Sequence, residues 1–305
     1  MMRHLITECP DAIKRPGLWR LSILAAVLAT GIGCAAAKRN PEPRFSPEDL
    51  TLHAQQAEAK GDVPGALQQY MQALVISQGT DNQRAAAHNL NDIGTIYYNQ
   101  GDYDKALQFY LEALRANKRL GDERGMATNL GNIGCVYAAK GMFKEAIASH
   151  EEALQLDEQA RNWVGKAKRL NNLGYAYLKM GDLDKAMEYF TAAEKLNKDL
   201  KNEAGRAVNL CNIGSIHEAR SDPAAALKFY EEAAAIDKSA ENFEGLAVDL
   251  HNCGRVAEAL GQLDKARDYY ARALHVNELL NKESGIRRDI EARDRVEKQL
   301  KPQGK

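Results

Sequence analysis

The sequence predicts an all-α solenoid of six helix-turn-helix repeats closed by a C-terminal capping helix. Glycine, leucine and alanine each recur every 40 residues, and such a fixed period is the signature of a repeat architecture. The three columns are Gly94, Gly134, Gly174, Gly214 and Gly254; Leu90, Leu130, Leu170, Leu210 and Leu250; and Ala106, Ala146, Ala186, Ala226 and Ala266. Apolar residues within one copy, such as Leu130, Ile133 and Tyr137, fall on a single helical face.

Composition excludes two classes of protein. The 305 residues carry 41 Lys and Arg against 42 Asp and Glu, a formal net charge of −1. A nucleic-acid-binding face needs clustered basic residues to neutralise phosphates, so we expect no nucleic-acid partner. Five cysteines are too few for a disulfide scaffold of this length.

Residues 1–33 are predicted to be a signal peptide. The first 20 residues are net positive, and residues 21–37 form an uncharged apolar run. That run is shorter than the roughly 20 residues of a membrane-spanning helix, and it ends in small residues, as a secretory signal does.

The residues before Cys34 resemble the lipobox of bacterial lipoproteins, with small Gly31 and Gly33 around Ile32. The resemblance implies cleavage before Cys34, lipidation of its thiol, and outer-membrane sorting towards the periplasm because Ala35 follows. Gly31 departs from the branched aliphatic residue usual in that family. Cleavage after Ala37, which would release a soluble periplasmic protein, and an uncleaved anchor are the alternatives.

Residues 34–47 are rich in proline and charge and have no helical period, which predicts a solvated tether. At about 3.3 Å per residue it reaches at most roughly 40 Å. The predicted body is therefore held close to the membrane.

The body should consist of six copies within residues 45–284. Glycine closes the first helix of most copies, and Ser221, followed by Asp222 and Pro223, replaces it once. Asp122, Asn162, Asn202 and Asn242 are predicted N-caps of the following helices. The predicted copies are 45–84, 85–124, 125–164, 165–204, 205–244 and 245–284, and residues 285–305 form the capping helix with one apolar stripe and a charged outer face.

The spacing of small residues, Tyr, Gly and Ala in these copies resembles the tetratricopeptide repeat. The 40-residue period is similar to that of kinesin light chains and Pins-type adaptors rather than to the common 34-residue form. The resemblance implies a right-handed superhelix whose concave groove, lined by the first helices, binds peptides or helices.

Two polar columns on the first helices are candidate groove residues. Asparagine is a mediocre helix former, so its recurrence needs a reason. Either the side chains bridge neighbouring helices, or they bind the backbone of an extended ligand as in the resembling adaptors, and both alternatives stay open. The columns are Asp92, Asn132, Asn172, Asn212 and Asn252, and three residues earlier Asn89, Asn129, Arg169, Asn209 and Asp249. Lys168, Tyr175 and Arg255 on the same face are predicted anchors, and the basic fourth copy suits an acidic or carboxylate-bearing ligand.

No enzyme motif is present in the sequence, so we expect neither catalysis, nor a cofactor, nor a small-molecule substrate. A cluster of His217, Glu218, His251 and Cys253 is interpreted as packing because it lacks the spacing of metal ligands. The resulting hypothesis is an envelope-anchored, non-catalytic scaffold for another protein. The alternative is an accessory or regulatory subunit of an envelope enzyme or of a secretion or pilus assembly machine.

Overall fold

The structure is a computed structural model that describes residues 45–300. The predicted signal peptide, Cys34, most of the tether and residues 301–305 lie outside the described residues. Within residues 45–300 the chain forms thirteen α-helices and no strand, which confirms the all-α class.

The helices alternate with short turns. The first helix is the shortest, and the others span 17 or 18 residues. Their bounds are α1 Pro47–Ala59, α2 Val63–Gly79, α3 Gln83–Asn99, α4 Tyr103–Leu120, α5 Glu123–Ala139, α6 Phe143–Gln159, α7 Trp163–Met180, α8 Leu183–Asp199, α9 Glu203–Ala219, α10 Pro223–Ser239, α11 Phe243–Ala259, α12 Leu263–Leu279 and α13 Glu283–Leu300.

The described chain divides into two compact units, residues 45–120 and residues 121–300. In the first unit, α1 to α4 pack in chain order, each against the next. In the second unit, α5 to α13 do the same. Each unit is thus a stack of helical hairpins, as the repeat pattern predicts.

The turns explain why each first helix stops. Gly61, Gly101, Gly141, Gly181 and Gly261 all have positive φ, the left-handed conformation that glycine adopts without steric cost. Ser221 takes the same conformation with φ 60°, while Asp222 caps α10 and Pro223 occupies its first turn. The serine therefore replaces glycine without changing the turn.

The recurrent glycine in the first helix allows close helix approach. A Cβ added to Gly94, Gly134, Gly174, Gly214 or Gly254 would lie 2.5–2.9 Å from a ring atom on the second helix of the same hairpin. The facing rings are those of Tyr110, His150, Phe190, Tyr230 and Tyr270, all buried. Any larger residue would push the two helices apart.

The last helix covers the end of the second unit. Ala292 and Val296 of α13 are buried against α12 and α11, while its other faces remain charged. Over residues 45–300, no helix combines the length and the apolar character needed to cross a membrane.

Candidate functional site

The first helices of residues 121–300 form the inner side of this unit. α5 contacts α7, α7 contacts α9, α9 contacts α11, and α11 contacts α13. No comparable contact joins the second helices α6, α8, α10 and α12 to one another within this unit. The first helices are therefore the closer spaced set, and their exposed face is the candidate site.

Each N-cap asparagine of this unit also joins two helices. The Asn162 Oδ1 accepts the Gly165 backbone N–H at 3.1 Å, and its Nδ2 donates to Asp157 Oδ1 on the preceding helix at 2.7 Å. Asn202 repeats the arrangement with Gly205 (3.2 Å) and Asn197 (2.8 Å), as Asn242 does with Gly245 (3.3 Å) and Asp237 (3.0 Å). The predicted caps are confirmed, and they fix where each first helix begins.

The earlier polar column of this unit is buried and paired with the preceding second helix. The Arg169 Nε donates to Asp157 Oδ2 at 3.2 Å, and the Asn197 Nδ2 donates to Asn209 Oδ1 at 2.8 Å. Asp249 hydrogen-bonds Asp237 in the same position of the next junction. Asn129 is 1% exposed, so this column presents little surface to a ligand.

The pair of Asp237 and Asp249 has the least favourable electrostatics of these junctions. Burial raises the pKa of Asp237 to about 6, and burial together with the neighbouring Asp237 charge raises the pKa of Asp249 well above its ordinary value. The Asp249 Oδ2 has no hydrogen-bond partner in the described chain, and the buried Cys211 thiol faces the same carboxyl group. Burial and mutual repulsion thus favour the form of the pair that holds a proton.

The later column links successive first helices. Asn172 Nδ2 lies 3.6 Å from Cys135 Sγ, Asn252 Nδ2 lies 3.5 Å from Cys211 Sγ, and Asn212 Nδ2 donates to Asn171 Oδ1 at 3.0 Å. These three asparagines and Asn132 are at most 8% exposed. The contacts support the structural alternative, while a ligand-binding role for these amides stays a prediction.

Residues 45–120 contribute one described member to each polar column, Asn89 to the earlier column and Asp92 to the later one. Asn89 is buried and accepts a hydrogen bond from Thr51 Oγ1 at 2.8 Å. Asp92 is half-buried, and burial raises its pKa to about 6. Neither residue presents a fully exposed polar group.

Among the predicted groove residues, the anchors Lys168, Tyr175 and Arg255 are the ones accessible to a ligand. Lys168 and Tyr175 of α7 are half-exposed, and Lys179 Nζ lies 5.2 Å from the Tyr175 ring centroid. Arg255 of α11 is exposed, and its guanidinium contacts both carboxylate oxygens of Glu218 on α9. The inner face thus combines a basic, aromatic part on α7 with an ion-paired part from α9 to α11.

A third recurrent group escaped the sequence reasoning. Tyr230 donates to Glu218 Oε2 at 2.8 Å, and Tyr270 donates to Glu258 Oε2 at 3.1 Å, so each glutamate holds a tyrosine and an arginine. Arg295 supplies the second arginine through bonds of 2.9 and 2.7 Å to Glu258. The signal was a Glu twelve residues before a Tyr, which the first copy also has in Glu58 and Tyr70. It is absent where Tyr98 precedes Tyr110 and where His150 or Phe190 replaces the tyrosine.

The side chains of His217, His251 and Cys253 do not meet at a common point. His217 stacks on Phe229 with centroids 5.1 Å apart, His251 Nδ1 lies 2.7 Å from Asp289 Oδ1, and Cys253 is buried. Across residues 45–300 no three His, Cys, Asp or Glu side chains are placed to share a metal ion.

Comparison with known proteins agrees with this architecture. A family model described as tetratricopeptide repeat matches residues 50–119, 83–159, 125–199, 166–239 and 205–278. No curated protein is similar enough in sequence to count as a relative.

Several solved structures share the fold. BtubC (BKLC) from P. vanneervenii is 20% identical with a TM-score of 0.60, over 78% of this chain and 93% of that chain. The quorum sensor NprR from B. thuringiensis, in its apo form, is 14% identical with a TM-score of 0.62, over 80% and 68%. A Rap protein complexed with competence and sporulation factor is 14% identical with a TM-score of 0.60, over 83% and 75%.

Five overlapping matches of one family model therefore cover most of the described hairpins. The glycine under each aromatic ring, the left-handed turns and the order of packing account for those matches in physical terms. This chain belongs to the tetratricopeptide repeat family.

Proposed function

We propose that the chain is a non-catalytic scaffold whose inner helix face binds a peptide or helix of a partner protein. The observation that carries the proposal is the accessible row of Lys168, Tyr175 and Arg255 on first helices that are joined to one another by buried polar pairs. A face whose side chains are held from beneath loses little conformational freedom when a ligand binds.

The chemistry of α7 favours an acidic segment or a C-terminal carboxylate. Lys168 lies about two helical turns before Tyr175 on α7, and Lys179 lies about one turn after it, beside the ring. Carboxylates are the groups that such a set recognises. Hydrogen bonds to the asparagine columns would each contribute about 0.5–1.5 kcal/mol, against the roughly 8 kcal/mol of micromolar binding. The anchors must therefore supply much of the affinity.

The solved neighbours support a ligand-binding use of this fold. The Rap protein was solved in a complex with competence and sporulation factor. At 14% identity that likeness carries the fold and not the identity of a ligand.

The proposed address is the periplasmic face of a bacterial outer membrane, through lipid on Cys34. It rests on the charge pattern of residues 1–37 and the small residues before Cys34. Mass measurement of the mature N-terminal peptide tests it, since a diacyl or triacyl mass on Cys34 is expected and cleavage after Ala37 would contradict it. Replacing Cys34 with Ser should then release the body from the membrane fraction.

A photoreactive amino acid in place of Tyr175 tests the binding face. We expect it to capture a defined partner in cells, because Tyr175 is partly exposed on the inner side. The matched control places the same group at Lys195, an exposed position on the second helix α8. Equal capture from both positions would contradict the proposal, as would unchanged capture after Lys168→Glu.

A further inference from the structure

The outer face of α2 lacks the charge found on every other second helix. α2 has the sequence VPGALQQYMQALVISQG, without a single Asp, Glu, Lys or Arg. In the part of the chain that the structure describes, each of the twelve other helices carries charged residues. The equivalent face of α6, for example, includes Lys144, Glu151 and Glu152.

Apolar side chains on this face are exposed. Phe45, Met71 and Val75 are 48%, 39% and 67% exposed, and they border a groove of about 690 Å³. The other residues that line it are Leu50, Pro64, Leu67, Ile76 and Tyr97, with the uncharged polar Gln68 and Gln72. From Pro64 to Val75 the groove follows α2 for about 17 Å at 1.5 Å per residue. An apolar face of this kind marks an interaction surface.

The tether joins this face to the proposed lipid. Phe45, the first described residue, lines the groove itself, and only ten residues lie between it and Cys34. Those residues span at most about 40 Å, so a bilayer holding the lipid is always within reach of α2. Such a short link keeps the effective concentration of the membrane at this face high.

We propose that the uncharged face of α2, together with Phe45, lies against the bilayer surface and orients the first repeat on the membrane. The inference rests on the proposed lipid anchor for its geometry. Contact would bury Met71, Val75 and Phe45 among lipid head groups and upper acyl chains without desolvating a charge, which no other second helix could do. Because the residues that line the groove carry no charge, the attraction is apolar and does not depend on anionic lipid.

Photoreactive lipid provides the test. The chain from residue 34 to 305 is coupled through Cys34 to uncharged phosphatidylcholine vesicles that contain a maleimide lipid and a diazirine lipid. The protein is reduced beforehand, and because Cys135, Cys211 and Cys253 are all buried, the coupling favours Cys34. We expect lipid adducts on residues 63–79, and no more than background on the equivalent residues 143–159 of α6.

The variant Met71→Glu with Val75→Lys gives α2 a charged face like that of α6, and both positions are exposed enough to accept it. Its α2 adducts should fall to the α6 level, whereas Gln155→Lys on α6 should change nothing. Adducts that persist in the double variant would overturn the proposal. A wild-type chain that forms a dimer without vesicles, and that the double variant turns into a monomer, would overturn it in favour of a second copy.

Chemical coupling also separates the two proposals. If Cys34 proves not to be lipidated in cells, the anchor fails while the vesicle result still decides the affinity of α2 for a bilayer. If Cys34 is lipidated but α2 gains no adducts, the anchor stands and the orienting contact is refuted.

Discussion

Three junctions within residues 121–300 occupy the same position of the repeat but differ in charge. Between α6 and α7 the buried pair is Asp157 with Arg169, between α8 and α9 it is Asn197 with Asn209, and between α10 and α11 it is Asp237 with Asp249. In each case the two residues are twelve apart, and an N-cap asparagine donates to the first of them.

The comparison shows that the fold specifies a buried polar contact of limited size at this position and leaves its chemistry open. An ion pair, an amide pair and a carboxyl pair all fit beneath the glycine in the first turn of the next helix, at Gly165, Gly205 and Gly245. Their responses to mutation and pH must nevertheless differ, because the cost of a buried group depends on its charge.

The largest effect is expected at the ion pair. Asp157→Ala leaves the Arg169 guanidinium, 9% exposed, without its carboxylate, and breaking a buried pair in this way costs about 3–5 kcal/mol. Asn197→Ala at the neutral junction should cost less, about 1–3 kcal/mol. Urea unfolding of the two variants measures the difference, and equal losses would show that the charge at the first junction has no special weight.

The carboxyl pair should make stability depend on pH. The folded pKa of Asp237, about 6, lies above its unfolded value of about 3.9. Its favourable contribution is therefore complete below the unfolded pKa and is lost as the pH rises through about 6. Asp249→Asn should raise the melting temperature at pH 8 and reduce its change between pH 5 and pH 8.

Asp264→Asn serves as the control for that experiment, because Asp264 is an acid of α12 with 77% side-chain exposure. It also replaces one carboxyl group with an amide, but without touching a junction, so its pH profile should follow the wild type. An Asp249→Asn variant that also follows the wild type would contradict the shared proton.

The asparagine column should affect stability more than binding. Replacing Asn132, Asn172 and Asn212 with Ala removes three buried amides, of which those of Asn172 and Asn212 contact the preceding first helix, at about 1 kcal/mol each. We expect a lower melting temperature with capture from position 175 retained at low temperature. If the variant melts like the wild type but no longer captures a partner, the prediction is wrong and these amides bind the ligand.

The smallest effect is expected at two uncapped helices. Met142 and Gln262 are the N-cap residues of α6 and α12 and make no side-chain cap hydrogen bond, unlike Asn162. Met142→Asp should stabilise the fold by about 0.5–1 kcal/mol, measured by urea unfolding. The reverse change at an existing cap, Asn162→Ala, should destabilise by a similar or larger amount, because Asn162 also donates to Asp157.

Much of the architecture was readable from residue spacing. The glycines that end the first helices, the asparagine caps and the capping helix all depend on neighbours within a few positions, and the structure confirms them. The predicted copy boundary at 165 falls two residues inside α7, which begins at Trp163, because the N-cap and not the glycine column sets the start of the helix.

The site was less predictable. The sequence singled out both asparagine columns but could not distinguish an exposed amide from a buried one, since all lie on one helical face. The sequence analysis did not identify Asp157, Asn197 and Asp237. Each of them pairs with a residue twelve positions later in the chain, on the next helix, and only the folded structure shows that pairing. Nor could the pattern show that Glu218 holds Arg255 of the next copy.

The amino-acid sequence by itself determined the helices, their turns and the family, because these follow from local backbone preferences repeated at a constant interval. Only the tertiary structure decided which polar side chains are buried and which remain open to a ligand. The partners of the buried groups stand 12, 37 or 41 positions away, and packing alone brings those distant atoms into contact.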